Sequence, residues 1–136
     1  MEQQLIIAVD PGREKCGVAV VHKTNGALWR QVVAAVAMAD TVSRLAAQYA
    51  ISTVVLGDRT TSRQAAGKLA GILVNGGPLT VIPVDEHRST DAARQRYWRE
   101  NPPRGLKRLI PVTMQVPPVP VDDYVAVILA ERYFGR

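Results

Sequence analysis

The chain holds one cysteine, one phenylalanine, two tryptophans and two histidines in 136 residues. A lone cysteine, Cys16, excludes an internal disulfide framework and any cysteine-rich metal site. So few aromatics leave the core to Val, Ile, Leu and Ala. No apolar run approaches the length that spans a bilayer. The first apolar run follows Glu2 and no basic region, so neither a membrane anchor nor a secretory leader is expected, and the cytoplasm is the expected compartment. Phosphate-binding P-loop and dinucleotide fingerprints are both missing.

What is present has the size of one domain, residues 1–136, with an ordinary hydrophobic fraction of 47%. The net charge is +5 and the pI about 9.8. The charge is uneven: Arg88, Arg94, Arg96, Arg99, Arg104, Lys107 and Arg108 face only Asp91 and Glu100 within residues 88–108. Such a segment is either a polyanion-binding surface or a solvated basic face.

The apolar runs set the order of elements. Leu5 to Val9 reads as a strand buried on both faces, Cys16 to His22 as a second and Ala27 to Ala35 as a third. Asn25-Gly26 between the last two predicts a type I′ hairpin. Asp40 is placed to cap a helix running to about Ala50. Ser52 to Gly57 is a short strand, and Thr61-x-x-Gln64 has the form of a capping box for a helix from Ser62 to Val74, ending at Asn75-Gly76-Gly77-Pro78. Thr80 to Val84 is a fifth strand. Ser89 or Thr90 caps a helix that stops before Asn101-Pro102-Pro103. A loop holding most of the nine prolines runs to Pro120, and a last helix covers Val121 to Phe134. An antiparallel meander followed by βαβ units makes an α/β fold: a five-stranded mixed sheet with helices on both faces. That order belongs to the ribonuclease-H-like fold and to half-domains of actin-like ATPases. The ATPases need a second domain and an adenosine site, for which this length leaves no room.

Carboxylates fall where strands end or a helix begins. Asp10 ends the first strand in IIAVDPGREKCGVAVV, Asp58 follows the fourth and Glu86 the fifth. Ligands of open α/β sheets gather at those carboxyl ends. Asp122 and Asp123 open the last helix; at about 100° per residue, Asp122 stacks with Ala126, Leu129 and Tyr133 on the face that should meet the sheet. A carboxylate there needs a cation. Acids that converge without cysteine suit Mg²⁺ or Mn²⁺ and two-metal phosphoryl chemistry. Each acid alone is also explained as a turn residue or helix cap.

At these residues the chain resembles the YqgF/RuvX family, nucleases of ribonuclease-H-like fold often called Holliday junction resolvases and relatives of RuvC. AVDPGREKCGVAVV resembles the family's opening strand, acid and hairpin, VDEHRSTDAAR its Asp-Glu-Arg segment, and VDDYVAVILAERYF its final helix. The resemblance implies a divalent-metal-dependent nuclease acting on structured nucleic acid, either precursor ribosomal RNA at its 5′ end or branched DNA. It implies Asp10, Glu86 and Asp122 as the catalytic, metal-binding acids, and leaves a homodimer among the expected partners. Arg59, Arg88, Arg104, Lys107 and Arg108 are the candidates for gripping the nucleic acid. Two departures stand out. Gly57-Asp58-Arg59-Thr60-Thr61-Ser62 replaces the usual Gly-Leu-Pro and looks more like the YqgF-like domain of the transcription accessory protein Tex, which makes Asp58 an accessory ligand or a rival to Glu86. His87 stands where arginine is usual. A non-catalytic nucleic-acid or ribosome-assembly binding module on the same scaffold is the alternative.

Three further features carry both readings. Thr60, Thr61, Ser62 and Arg63 at a helix start suit a phosphate or ordinary capping. Gly67 and Gly71, four apart on a helix, suit close packing on the sheet or close contact with a second subunit. Tyr97-Trp98 between Arg96 and Arg99 suits stacking on an unpaired base or anchoring a helix to the core.

Overall fold

Strands β1 (Leu5–Asp10), β2 (Lys15–His22) and β3 (Gly26–Ala34) form the expected antiparallel meander in a computed structural model that describes residues 4–59 and 61–135. Thr60 of the helix-start cluster lies outside the described residues. The β2–β3 hairpin exists, but its turn is not type I′. Only Gly26 of the Asn-Gly pair has positive φ, 80°. A side chain closes the loop instead: His22 Nδ1 accepts from the amides of Thr24 and Asn25 at 3.1 Å each.

A 3-10 turn (Ala35–Ala37) leads into α1 (Met38–Tyr49), which starts ahead of Asp40. Asp40 therefore lies in the first turn, where it favours the helix dipole rather than capping. β4 (Thr53–Gly57) follows, then α2 (Ser62–Ala70), shorter than the sequence pattern predicts. The difference is a small ribbon of β5 (Leu73–Val74) and β6 (Gly77–Pro78). Asn75 and Gly76 turn it with φ of 51° and 85°. This Asn-Gly pair, read as a helix stop, is the one that adopts the two positive φ values of a tight hairpin. β7 (Thr80–Val84), α3 (Ser89–Glu100) and α4 (Asp122–Tyr133) complete the fold. The capping expectation at α3 fails. Its N-cap is Arg88 in the left-handed region, and the hydroxyl of Ser89 is buried without a partner among the described residues. Two 3-10 segments, Gly105–Leu109 and Val112–Met114, punctuate the proline-rich loop.

The five-stranded sheet has order β3-β2-β1-β4-β7, with β1, β4 and β7 parallel. β1 is central and alternates between two cores. Ile7 and Val9 pack with Met38, Val42, Leu45, Ala65 and Leu69 beneath α1 and α2. Ile6 and Ala8 pack with Ala19, Ala126 and Ala130 beneath α4. Burying an Ile or Val side chain stabilises by about 1.5–3 kcal/mol, and four successive β1 residues are fully buried. The strand cannot shift without giving up both cores. α4 is apolar nearly all round because it lies between the sheet and α3, where Leu129 and Tyr124 meet Ala93 and Tyr97. Among the described residues, no helix is long and apolar enough to cross a membrane.

Candidate active site

Asp10 is the last residue of β1, paired in register with Gly17 of β2. Its carboxyl is pushed up to about 8, first by burial and then by a hydrogen bond and charge repulsion from Glu86, with Asp122 adding repulsion and Arg59 opposing it. Two carboxyls so near each other disfavour a second negative charge, which keeps Asp10 protonated further toward neutral pH than a free aspartate.

Glu86 arrives from the far side of β4, two residues beyond the end of β7. It is 2% exposed. Its Oε2 accepts from the backbone amide of Arg59 at 3.0 Å and lies 3.4 Å from that residue's Nε. Its Oε1 is buried with no hydrogen-bond partner among the described residues. The glutamate passes over Gly57, the last residue of β4, where a Cβ would strike its carboxyl group. Asp58 does not compete for this place. It is exposed, and its Oδ1 accepts from the amide of Glu86 at 3.3 Å, which holds the glutamate's backbone.

The helical-face expectation, which put Asp122 against the sheet and Asp123 to one side, holds only in part, because Leu129 on the Asp122 stripe meets α3. Asp123 is the more enclosed, yet it is already satisfied: Arg30 Nη1 donates to its Oδ2 at 2.7 Å, and its Oδ1 accepts from the amide of Tyr124. Asp122 faces the acids. Burial raises its carboxyl above the usual range, Lys15 at 4.0 Å draws it back, and Asp123 adds repulsion. Its Oδ2, the oxygen nearest Lys15, is buried and has no hydrogen-bond partner among the described residues.

What brings α4 down so far is the lack of side chain beneath it. Gly17 lies directly under the start of the helix, so close that a Cβ there would overlap the carbonyl of Asp122 and stand 2.7 Å from the amide nitrogen of Asp123. Alanines on both sides, Ala8 and Ala19 against Ala126 and Ala130, continue the close approach. Sequence reasoning missed this role of Gly17. The hairpin register, which sets it opposite Asp10, was the available signal. A second omission is Thr61, whose hydroxyl donates to the carbonyl of Pro11 at 3.1 Å and ties the start of α2 to the loop after Asp10. No capping box forms there.

The structure thus brings Asp10, Glu86, Asp122 and Arg59 together. Arg88 lies two residues beyond Glu86 at the start of α3. Arg104, Lys107 and Arg108 are exposed on the proline-rich loop, away from the acids in sequence and in element. His87 is exposed, its amide donating to Asp85 at 2.9 Å. The donor set is all oxygen, with two buried carboxyl oxygens lacking a hydrogen bond among the described residues and a third carboxyl whose pKa is raised by its surroundings. That chemistry fits a hard divalent cation. Among the described residues no three candidate ligands close into one cluster: Asp10 and Glu86 are in contact, while Asp122 acts on Asp10 without touching it.

A mixed sheet opening in a meander, with acids at the carboxyl ends of its central strands, is a ribonuclease-H-like fold. Solved structures bear this out. The fowlpox virus Holliday junction resolvase matches with a TM-score of 0.60 and 14% identity over 96% of this chain and 98% of that one. Fowlpox virus resolvase in complex with Holliday junction DNA matches at 0.60 and 16% identity, over 96% and 97% of the two chains. Thermus thermophilus RuvC matches at 0.57 and 12% identity, over 96% and 95%. At such identities the likeness is one of fold. No protein-family model matches the chain, and no curated protein does.

Proposed function

We propose that this protein is a cytoplasmic, divalent-metal-dependent nuclease of the YqgF/RuvX type that hydrolyses phosphodiester bonds in branched DNA. The observation that carries the proposal is the pair of Asp10 and Glu86 at the strand tips with Asp122 at the start of α4, where Glu86 Oε1 and Asp122 Oδ2 are buried without a hydrogen bond among the described residues. The likeness in fold to junction resolvases along nearly the whole chain supports branched DNA ahead of precursor ribosomal RNA. Asp10, Glu86 and Asp122 would hold Mg²⁺ or Mn²⁺, with Asp58 positioning Glu86 from behind. Such an ion, when bound, activates water and neutralises charge on the scissile phosphate.

The protein's own residues prepare the site. The amide of Arg59 fixes one oxygen of Glu86 and leaves the other free. Asp10 yields its proton when positive charge arrives, since only then does the second negative charge become tolerable. The guanidinium of Arg59, half in solvent, and Arg88 stand where a phosphate backbone would approach, and Arg104, Lys107 and Arg108 extend the basic track.

The test is cleavage of a labelled four-way DNA junction and of a precursor ribosomal RNA leader with Mn²⁺, Mg²⁺ or chelator, using wild type and Asp10→Asn. Metal-dependent cutting of the junction, lost in the variant, is the expected result. Cutting of the RNA alone would move the substrate to ribosomal RNA maturation. Binding without cutting under any metal would sink the enzyme and leave a binding module, a reading that the unclosed arrangement of the three acids favours.

A further inference from the structure

A cavity of about 530 Å³ lies between α3, the second 3-10 segment of the proline-rich loop and the end of α4, apart from the acids. Trp98 and Gln115 line it, and both also line an adjoining cavity of about 400 Å³ that reaches Arg104 and Lys107. Trp98 thus stands between two basic hollows. It is half-buried, and its indole Nε1 is enclosed without an acceptor among the described residues. Trp98 also anchors α3, packing edge-on against Tyr97 at 5.1 Å beside the core, but a buried indole N–H usually has an acceptor.

The walls seek an anion. Arg88, Arg94 and Arg132 face the cavity against one acid, Asp91. Arg132 is held in place by donating to the carbonyl of Asp85 at 2.7 Å. Arg88 and Arg94 make no ion pair or hydrogen bond through their side chains among the described residues. Arg88 is also kept in the left-handed region, φ 55°, which is strained for a residue with a side chain and recurs where a group is aimed at a ligand. Gln115 spends both amide hydrogens on the carbonyls of Lys107 and Ile110, at 2.9 Å each. Its oxygen is therefore fixed as an acceptor, suited to the N–H donors that an unpaired base carries on its pairing edge.

We propose that this cavity seats one unpaired nucleotide, its base stacked on Trp98 with an N–H toward the oxygen of Gln115, and its phosphate against Arg88 and Arg94. A flat ring surface flanked by free guanidinium groups is the chemistry that takes single strands. The proposal rests on the nucleic-acid reading above and adds where an unpaired base goes. Arg88 is two residues from Glu86, at most about 7 Å of backbone, so the seated nucleotide lies close to a phosphate held at the acids.

The experiment needs neither metal nor cleavage and is run in chelator, so it fails or succeeds independently of the nuclease assay. Trp29→Phe leaves Trp98 as the sole indole, and its fluorescence is titrated with short single-stranded oligo(dA), oligo(dC) and oligo(dT), with the matching duplex, and with inorganic phosphate. Saturable quenching by oligo(dA), oligo(dC) and oligo(dT), with little response to duplex or phosphate, is expected. Arg94→Gln, at an exposed position, should weaken oligo(dA) about tenfold. Trp98→Ala, read by calorimetry, should weaken it about 10- to 100-fold. No saturable quenching by any single strand, an equal response to phosphate or duplex, or unchanged affinity in Arg94→Gln would overturn the proposal even if Trp98→Ala fails to fold.

Discussion

Replacing Asp10 by asparagine should make the protein more stable at neutral pH while abolishing cleavage. The carboxyl titrates near its ordinary 3.8 in the unfolded chain and near 8 in the folded one. The folded state therefore binds this proton more tightly. Its stabilising contribution is complete below the unfolded value and is lost as pH rises through the interval to the folded value, after which it stays lost. By neutral pH most of that interval has been crossed, a loss of roughly 4 kcal/mol at 1.36 kcal/mol per pH unit. Solvent reaches part of Asp10 and the burden is shared with Glu86, so about 2 kcal/mol is the working figure. Asparagine matches the shape, remains neutral and can still donate to Glu86. It should raise the melting temperature by roughly 5–8 °C at neutral pH in chelator, and by nothing in acid below the unfolded value. Adding Mn²⁺ should raise the melting temperature of the wild type and not that of the variant, because only the intact set gains from binding in the folded state. The assay is thermal unfolding across pH with and without metal. An asparagine variant no more stable than wild type at neutral pH, or a gain that persists in acid, would refute the raised titration of Asp10 beside Glu86.

Three other substitutions separate position from chemistry. Gly17→Ala should lift the start of α4 from β2, lowering stability by about 1–3 kcal/mol and removing cleavage although no acid is changed; denaturant unfolding and the junction assay check both. Gly57→Ala pushes the carboxyl of Glu86 aside, with a Cβ only 2.7 Å from its Cγ; the flexible side chain yields, so activity should fall much more than melting temperature. Arg30→Gln leaves Asp123 enclosed without its cation and should cost roughly 2–4 kcal/mol of stability, while junction binding in chelator stays unchanged.

The order of strands and helices was legible because the sheet is built from unbroken apolar runs that have no other use. Boundaries were less so, and the two Asn-Gly pairs show why. The first was relieved of its tight turn by a histidine ring three residues back, and the second took that turn after Gly71 stopped α2 early. A dipeptide reports what the backbone permits; neighbouring side chains decide whether it is needed. The candidate acids were legible through strand ends and, in part, through one helical face. The supports of Glu86 were not legible, because the amide of Arg59, the carboxylate of Asp58 and the bare surface of Gly57 meet it only across parallel strands far apart in sequence. Arg30 as the partner of Asp123 was equally hidden, at a separation of 93 residues.

Helix α4 meets the candidate site at both of its ends. Its first residue is the third acid, and near its last turn Arg132 grips the carbonyl of Asp85, the residue before the second. One rod of twelve residues, about 18 Å long, thus works as a gauge: it fixes how far Asp122 can stand from the strand that delivers Glu86. Inserting a single residue in its middle would swing one end by about 100° relative to the other, and the helix could keep its grip on Asp85 or its acid at Asp10, but not both.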